Sequence, residues 1–224
     1  MSALINGVKY KYKIGYIYKL IKDGADVNAK DYENHTVLMI ASGIEFKITA
    51  NLSAMRLLIE YGADINAVEE KYHCTPLMAA SGFRNHANLH AMRLLIENGA
   101  NVNAVDVYGY TSLMFSTGIR KPDMENIEAF KLLLEHGADI NIQGRNGLTV
   151  CNFLCAYNQP NLHIFQSVIN CHYRKEILTY MAAINNSAAI NNSAAVTKIE
   201  KLFKIISHKF RQDWEIHINS FFKH

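Results

Sequence analysis

The sequence predicts an all-α solenoid of stacked helix-turn-helix repeats with a helical C-terminal extension. Three blocks recurring in phase predict it. Gly24-Ala25-Asp26-Val27-Asn28-Ala29 returns at Gly62–Ala67, at Gly99–Ala104 and, as Gly-Ala-Asp-Ile-Asn-Ile, at Gly137–Ile142. An apolar block opening with Asn precedes three of these glycines, at 51–60, 88–97 and 126–135. A block opening with Thr follows about a dozen residues after each turn, at Thr36, Thr75 and Thr111. Such periodicity overrides local readings, because one unit cannot bury its own apolar face and must stack on neighbours.

Each block carries its own start and stop signals. Asn51 and Asn88 suit the N-cap of a helix, where a side-chain oxygen accepts from an orphan backbone N–H. Gly62 and Gly99 suit the position just past its end, where φ is positive. In the Thr block, Thr caps and Pro76 takes the first helical position, while Gly43, Gly82 and Gly118 close the helix. Ile44, Phe83 and Ile119 follow those glycines, as the apolar contact of a Schellman-type stop requires. The spacing predicts a cap at 1–29 whose second helix covers about Ile14–Lys22. Three full repeats follow (30–67, 68–104, 105–142), then a degenerate one at 143–172 in which His172 stands at the turn-glycine position.

The Thr-Pro-Leu…Ala-Ala helix, the Leu-Leu-Ile-Glu helix and the Gly-Ala-Asp-Ile-Asn-Ala turn together resemble the ankyrin repeat over about residues 14–155. Two departures stand out. Met39, Met78 and Met114 occupy the family's usual His position after Thr-Pro-Leu, and the period is 37–38 rather than about 33 residues. The extra residues fall between paired helices, at 44–50, 83–87 and 119–125, where insertions cost little stability. The resemblance implies a non-enzymatic protein-binding module that grips its partner with hairpin tips and the concave face of the first helices. By register the tip residues are Tyr32, Glu33 and His35; Lys71, Tyr72 and Cys74; Val107, Tyr108 and Tyr110; and Arg145, Asn146 and Leu148. Tyr and Arg dominate binding hot spots, although tyrosines can equally pack between neighbouring fingers. The resemblance also implies that the turn residues Asn28, Asn66, Asn103 and Asn141 are hydroxylation targets. Their simplest structural role is to close the hairpin.

Composition narrows the function further. Half the residues are hydrophobic and 19% charged, which excludes a disordered chain, while 12 Gly, 3 Pro and 4 Cys exclude collagen-like and disulfide-scaffold classes. No apolar run approaches the roughly 20 residues of a membrane span, and the N-terminus lacks the order of a secretory signal. A reducing, cytoplasmic setting and a monomer are expected. The net charge of +3 gives no case for nucleic acid. It is uneven, however: residues 143–224 hold 9 of the 23 basic and 4 of the 20 acidic residues. Isoleucine-, Asn- and Lys-rich, Pro-poor usage suits an AT-rich intracellular bacterium or large virus, whose effector would act on a host protein.

The segment 173–224 leaves the repeat. Ala183–Ala188 is duplicated at once in Ala189–Ala194, as in a linker. Beyond it, Val196, Ile199, Phe203, Ile206, Phe210 and Trp214 keep helical spacing among lysines. This helix either caps the open end of the stack or, as the basic amphipathic helix of an adaptor, attaches the protein to a membrane surface, a partner groove or nucleic acid. No catalytic motif, cofactor motif or acid–base pair is present. Glu69-Glu70 reads as a solvated charge pair. Cys151, Cys155, His163, Cys171 and His172 cluster in sequence, but the repeat frame points them apart, so no metal site is expected.

Overall fold

The computed structural model describes residues 2–44, 50–82, 87–117, 127–145 and 147–150. Eight helices appear among them: α1 Ala3–Lys9, α2 Ile14–Lys22, α3 Val37–Ala41, α4 Leu52–Glu60, α5 Pro76–Ala80, α6 Leu89–Glu97, α7 Ser112–Ser116 and α8 Ile127–Glu135. The short helices α1, α3, α5 and α7 stack in one layer, and α2, α4, α6 and α8 stack in the other. Helix α2 has the bounds its spacing predicts, and α1 adds a first helix to the cap, with the Ser2 side chain accepting from the Leu4 N–H at 3.3 Å.

The caps work as the sequence implies. Thr36, Thr75 and Thr111 each accept from the N–H three residues on, at 3.3–3.4 Å. Asn51 and Asn88 do the same for α4 and α6 at 3.2 and 3.0 Å, and their own N–H groups donate to Ala41 and Ala80 at the ends of the preceding helices. The pairs α3–α4 and α5–α6 are thereby tied through the backbone as well as through their side chains. Gly24, Gly43, Gly62, Gly99 and Gly137 carry positive φ. At each, the next residue's N–H reaches back five positions to a helix carbonyl, closing a Schellman turn.

The core runs through both layers. Leu4, Ile17, Leu38, Met55, Leu58, Leu77, Leu95, Leu113 and Leu133 are almost wholly buried, and so are Met39, Met78 and Met114 at the position where the family usually carries His. Replacing an imidazole with a thioether there extends apolar contact along the stack without a polar atom to satisfy. The inter-helix segments 45–49, 83–86 and 118–126 lie outside the described residues. So do Asn146, the Cys151–His172 cluster and the segment 173–224. All described residues fall within the unit Met1–Phe153.

Candidate functional site

Between the layers, the chain runs out four times into a finger: residues 31–35, 69–74, 106–110 and 144–148. One rule builds all four. The N–H of the first residue donates to the carbonyl of the last: Asp31 to His35, Glu69 to Cys74, Asp106 to Tyr110 and Gly144 to Leu148, at 2.9–3.0 Å. In three fingers an acidic side chain then fills the loop. Asp31 accepts from the N–H groups of Glu33 and His35, and Asp106 from those of Tyr108 and Tyr110. The second finger is one residue longer and uses Glu in place of Asp. The extra methylene lets Glu69 reach the N–H groups of Lys71 and Tyr72.

Two expectations are corrected here. Glu69 is not half of a solvated pair, because it is 1% exposed inside the finger. Only Glu70 faces solvent, where it meets Lys30 at 3.3 Å and Asn34 at 3.2 Å. His35 and Cys74 are not tip residues. The positions before Thr36 and Thr75 turn inward, leaving His35 2% exposed and Cys74 fully buried, whereas Tyr110 before Thr111 and Leu148 before Thr149 stay half-buried. His35 Nδ1 lies 3.4 Å from Asp31 and 3.5 Å from Glu33, too poorly aligned for a hydrogen bond.

Among the described residues, the other expected tip residues reach the surface to different degrees. Tyr32 is 77% and Tyr108 45% exposed; Lys71 and Arg145 are exposed, and Tyr72, Val107 and Tyr110 are half-buried. The rings of Tyr108 and Tyr110 lie 6.0 Å apart, and Tyr110 meets Phe115 edge-on. The Lys71 ammonium sits 5.0 Å from the Tyr72 ring centroid. Backbone bonds join neighbouring fingers: Val107 N–H donates to Tyr72, and Arg145 N–H to Tyr108, at 2.9 and 2.8 Å. Fingers one and two are joined instead by the Lys30, Asn34 and Glu70 side chains. A cleft of about 270 Å³ lies there, lined by Tyr32, Glu33, His35, Lys71 and Tyr72 among others. The longer second finger accounts for this difference.

The turn asparagines do more than the hairpin closure expected of them. Asn28 Oδ1 accepts from the Asp64 N–H of the next repeat at 2.8 Å, and its amide donates to the Gly62 carbonyl. Asn66 grips Asn101 and Gly99 in the same way, and Asn103 grips Asp139 and Gly137. Closure within each turn falls to the residue two before, as where Asp26 accepts from the Asn28 N–H. Asn141 donates to Asp139.

The cap carries a feature absent from the sequence expectations. Tyr10, Tyr12, Ile14, Tyr16 and Tyr18 are all exposed around the α1–α2 turn. Lys22 stands over the rings of Tyr18 and Tyr61, and the Tyr61 hydroxyl bond, followed by the charge of Tyr18, pushes its pKa up. The signal was legible as alternation of Lys and Tyr over residues 9–13.

A stacked array of capped helix pairs joined by such fingers defines a repeat-built binding scaffold. A family model described as ankyrin repeats (3 copies) matches residues 4–106 and 48–144, and the chain belongs to that family. Ankyrin repeats are generally protein–protein interaction modules and typically non-catalytic. No curated protein matches the chain. Among the described residues no group of His, Cys, Asp and Glu could hold a metal, and no helix is long and apolar enough to cross a membrane.

Proposed function

We propose that this chain binds a protein partner through its finger row, with Tyr32, Tyr72 and Tyr108 as anchors. Glu33, Lys71, Val107, Tyr110, Arg145 and Asn146 complete the contact, and the inner-layer helices flank it. The supporting observation is a line of tyrosines on fingers held rigid by their own carboxylates and by bonds between fingers. Pre-ordered aromatic rings bind at low entropy cost, and the cleft between the first two fingers offers a pocket for one partner side chain. Residue usage supports reading that partner as a host protein of an intracellular pathogen.

The test begins with a photo-crosslinking residue at position 32, which identifies the partner by mass spectrometry. Calorimetry on the purified pair then compares the parent with the Tyr32→Ala/Tyr108→Ala variant. Loss of about 2 kcal/mol or more with an unchanged melting curve supports the finger row. Unaltered affinity refutes it.

A further inference from the structure

We propose that the N-terminal cap carries a second, separate docking surface, built to take an acidic segment of a protein. Residues 3–22 hold five lysines and no acidic residue. The helices that follow in the same layer carry no such excess: α4 holds Arg56 and Glu60, α6 Arg93 and Glu97, and α8 Lys131 with Glu128 and Glu135. With Asp23 and Asp26 counted, the cap at 1–29 still holds five lysines against two acidic residues, a local excess of positive charge on a domain whose first 142 residues are slightly acidic overall.

The same segment exposes aromatic surface. Tyr10, Tyr12, Tyr16 and Tyr18 are each 45–62% exposed, and Ile14 beside them is 45% exposed. Tyr10, Tyr12 and Tyr16 form one exposed aromatic patch, the kind of surface that marks an interaction site, while Tyr18 lies on another flank of α2 against Tyr61. The rings are ordered: Tyr12 meets Tyr16 edge-on at 5.7 Å and lies 6.4 Å from Tyr10. Their hydroxyls, set among lysines, are donors to carboxylates.

The turn also sets a lysine where the corresponding turns of the array set glycine. Tyr12 N–H donates to Gly7 at 2.8 Å and Lys11 N–H to Val8, the same Schellman closure seen after α2, α3, α4, α6 and α8. At those five turns the left-handed position is glycine; here it is Lys11, at φ 52°. A long side chain in that conformation is disfavoured, and strained residues of this sort cluster at binding sites.

The details favour a polypeptide over the other polyanions. Stacking of nucleic acid bases needs open ring faces, but Tyr12 and Tyr16 meet edge to face, so each partly shields the other. Membrane attachment needs a broad aliphatic face, but Leu4, Ile5, Val8 and Ile17 are buried, leaving Ile14 exposed and Leu20 half-buried. Carboxylates spaced along a peptide match lysines interleaved with tyrosine hydroxyls.

The experiment uses the full chain and fluorescence anisotropy of a labelled peptide of about a dozen alternating Glu and Ser residues. Binding that weakens as salt rises past the point where the Debye length falls to about 8 Å is expected. Lys13→Glu/Lys19→Glu should weaken it about ten-fold or more. Tyr16→Ala, which keeps the charge, should weaken it several-fold. Lys11→Gly should raise the melting temperature and still weaken the peptide, a pairing that a purely structural lysine would not give. Tyr32→Ala/Tyr108→Ala should leave the peptide unaffected, so this surface and the finger row stand or fall separately. Three results overturn the proposal. One is affinity that follows net charge and ignores Tyr16. Another is preference for an oligothymidylate of about twenty nucleotides. The last is preference for phosphatidylcholine vesicles carrying about one third phosphatidylserine.

Discussion

Single atoms decide the geometry of the fingers. Glu69 closes a six-residue loop where Asp31 and Asp106 close five-residue ones. Glu69→Asp withdraws the carboxylate by one methylene and leaves two N–H groups underserved in a nearly buried setting. It should destabilise the fold by about 1–3 kcal/mol, read by urea denaturation. Asn66→Ala removes two hydrogen bonds to the following repeat, and a loss of about 1–2 kcal/mol is expected by the same measurement. Lys22 behaves differently because it is fully exposed. Its raised pKa means that its contribution is complete at neutral pH and fades only as pH climbs through the lysine range. The melting-temperature gap between parent and Lys22→Gln should therefore hold from neutral to mildly alkaline pH and close above about pH 10.5.

Among the elements, the turns after the outer helices and the fingers make opposite use of glycine. Gly62 has φ 85°, and a Cβ added there would meet nothing within 4 Å, so Gly62→Ala costs only its backbone strain, about 1 kcal/mol. Gly109 has φ 79°, and a Cβ there would lie 2.8 Å from the Gly144 Cα of the next finger. Gly109→Ala should cost clearly more, about 2 kcal/mol or above, and should disturb the Arg145–Tyr108 backbone bond. Equal losses in the two variants, measured by chemical denaturation, would refute the close approach of these fingers. The helices themselves were legible beforehand, since caps, apolar spacing and stop glycines are all local signals. The finger interior was not. His35 and Cys74 look like tip residues in sequence because nothing local distinguishes a side chain turned toward the helices from one turned toward solvent. Glu69 reads as a solvated charge for the same reason, because its partners are backbone groups rather than an opposite charge.

Across the whole molecule, stability is the sum of units and their interfaces. Asn28 and Asn103 act at interfaces separated by an intervening repeat, so Asn28→Ala and Asn103→Ala should add to within about 0.5 kcal/mol. The repeat period made this architecture readable, but the bridges between repeats span 33–36 residues and no local rule reveals them. The Lys–Tyr alternation of the cap was visible in the same sequence. Its meaning depended on which rings the fold leaves uncovered, and that emerges only once α1 and α2 bury their aliphatic side chains.

The asparagine bridges also give the array a direction. Every grip runs from one unit to the backbone of its successor, so each unit offers a socket at one end and a plug at the other. Such head-to-tail joints are indefinitely extensible, because a new unit finds a ready-made mate on either side. Lengthening by duplication then requires no redesign of the joint, while the sequence between paired helices differs in length from repeat to repeat. A gene carrying this motif can grow or shrink by whole units and still encode a protein that folds.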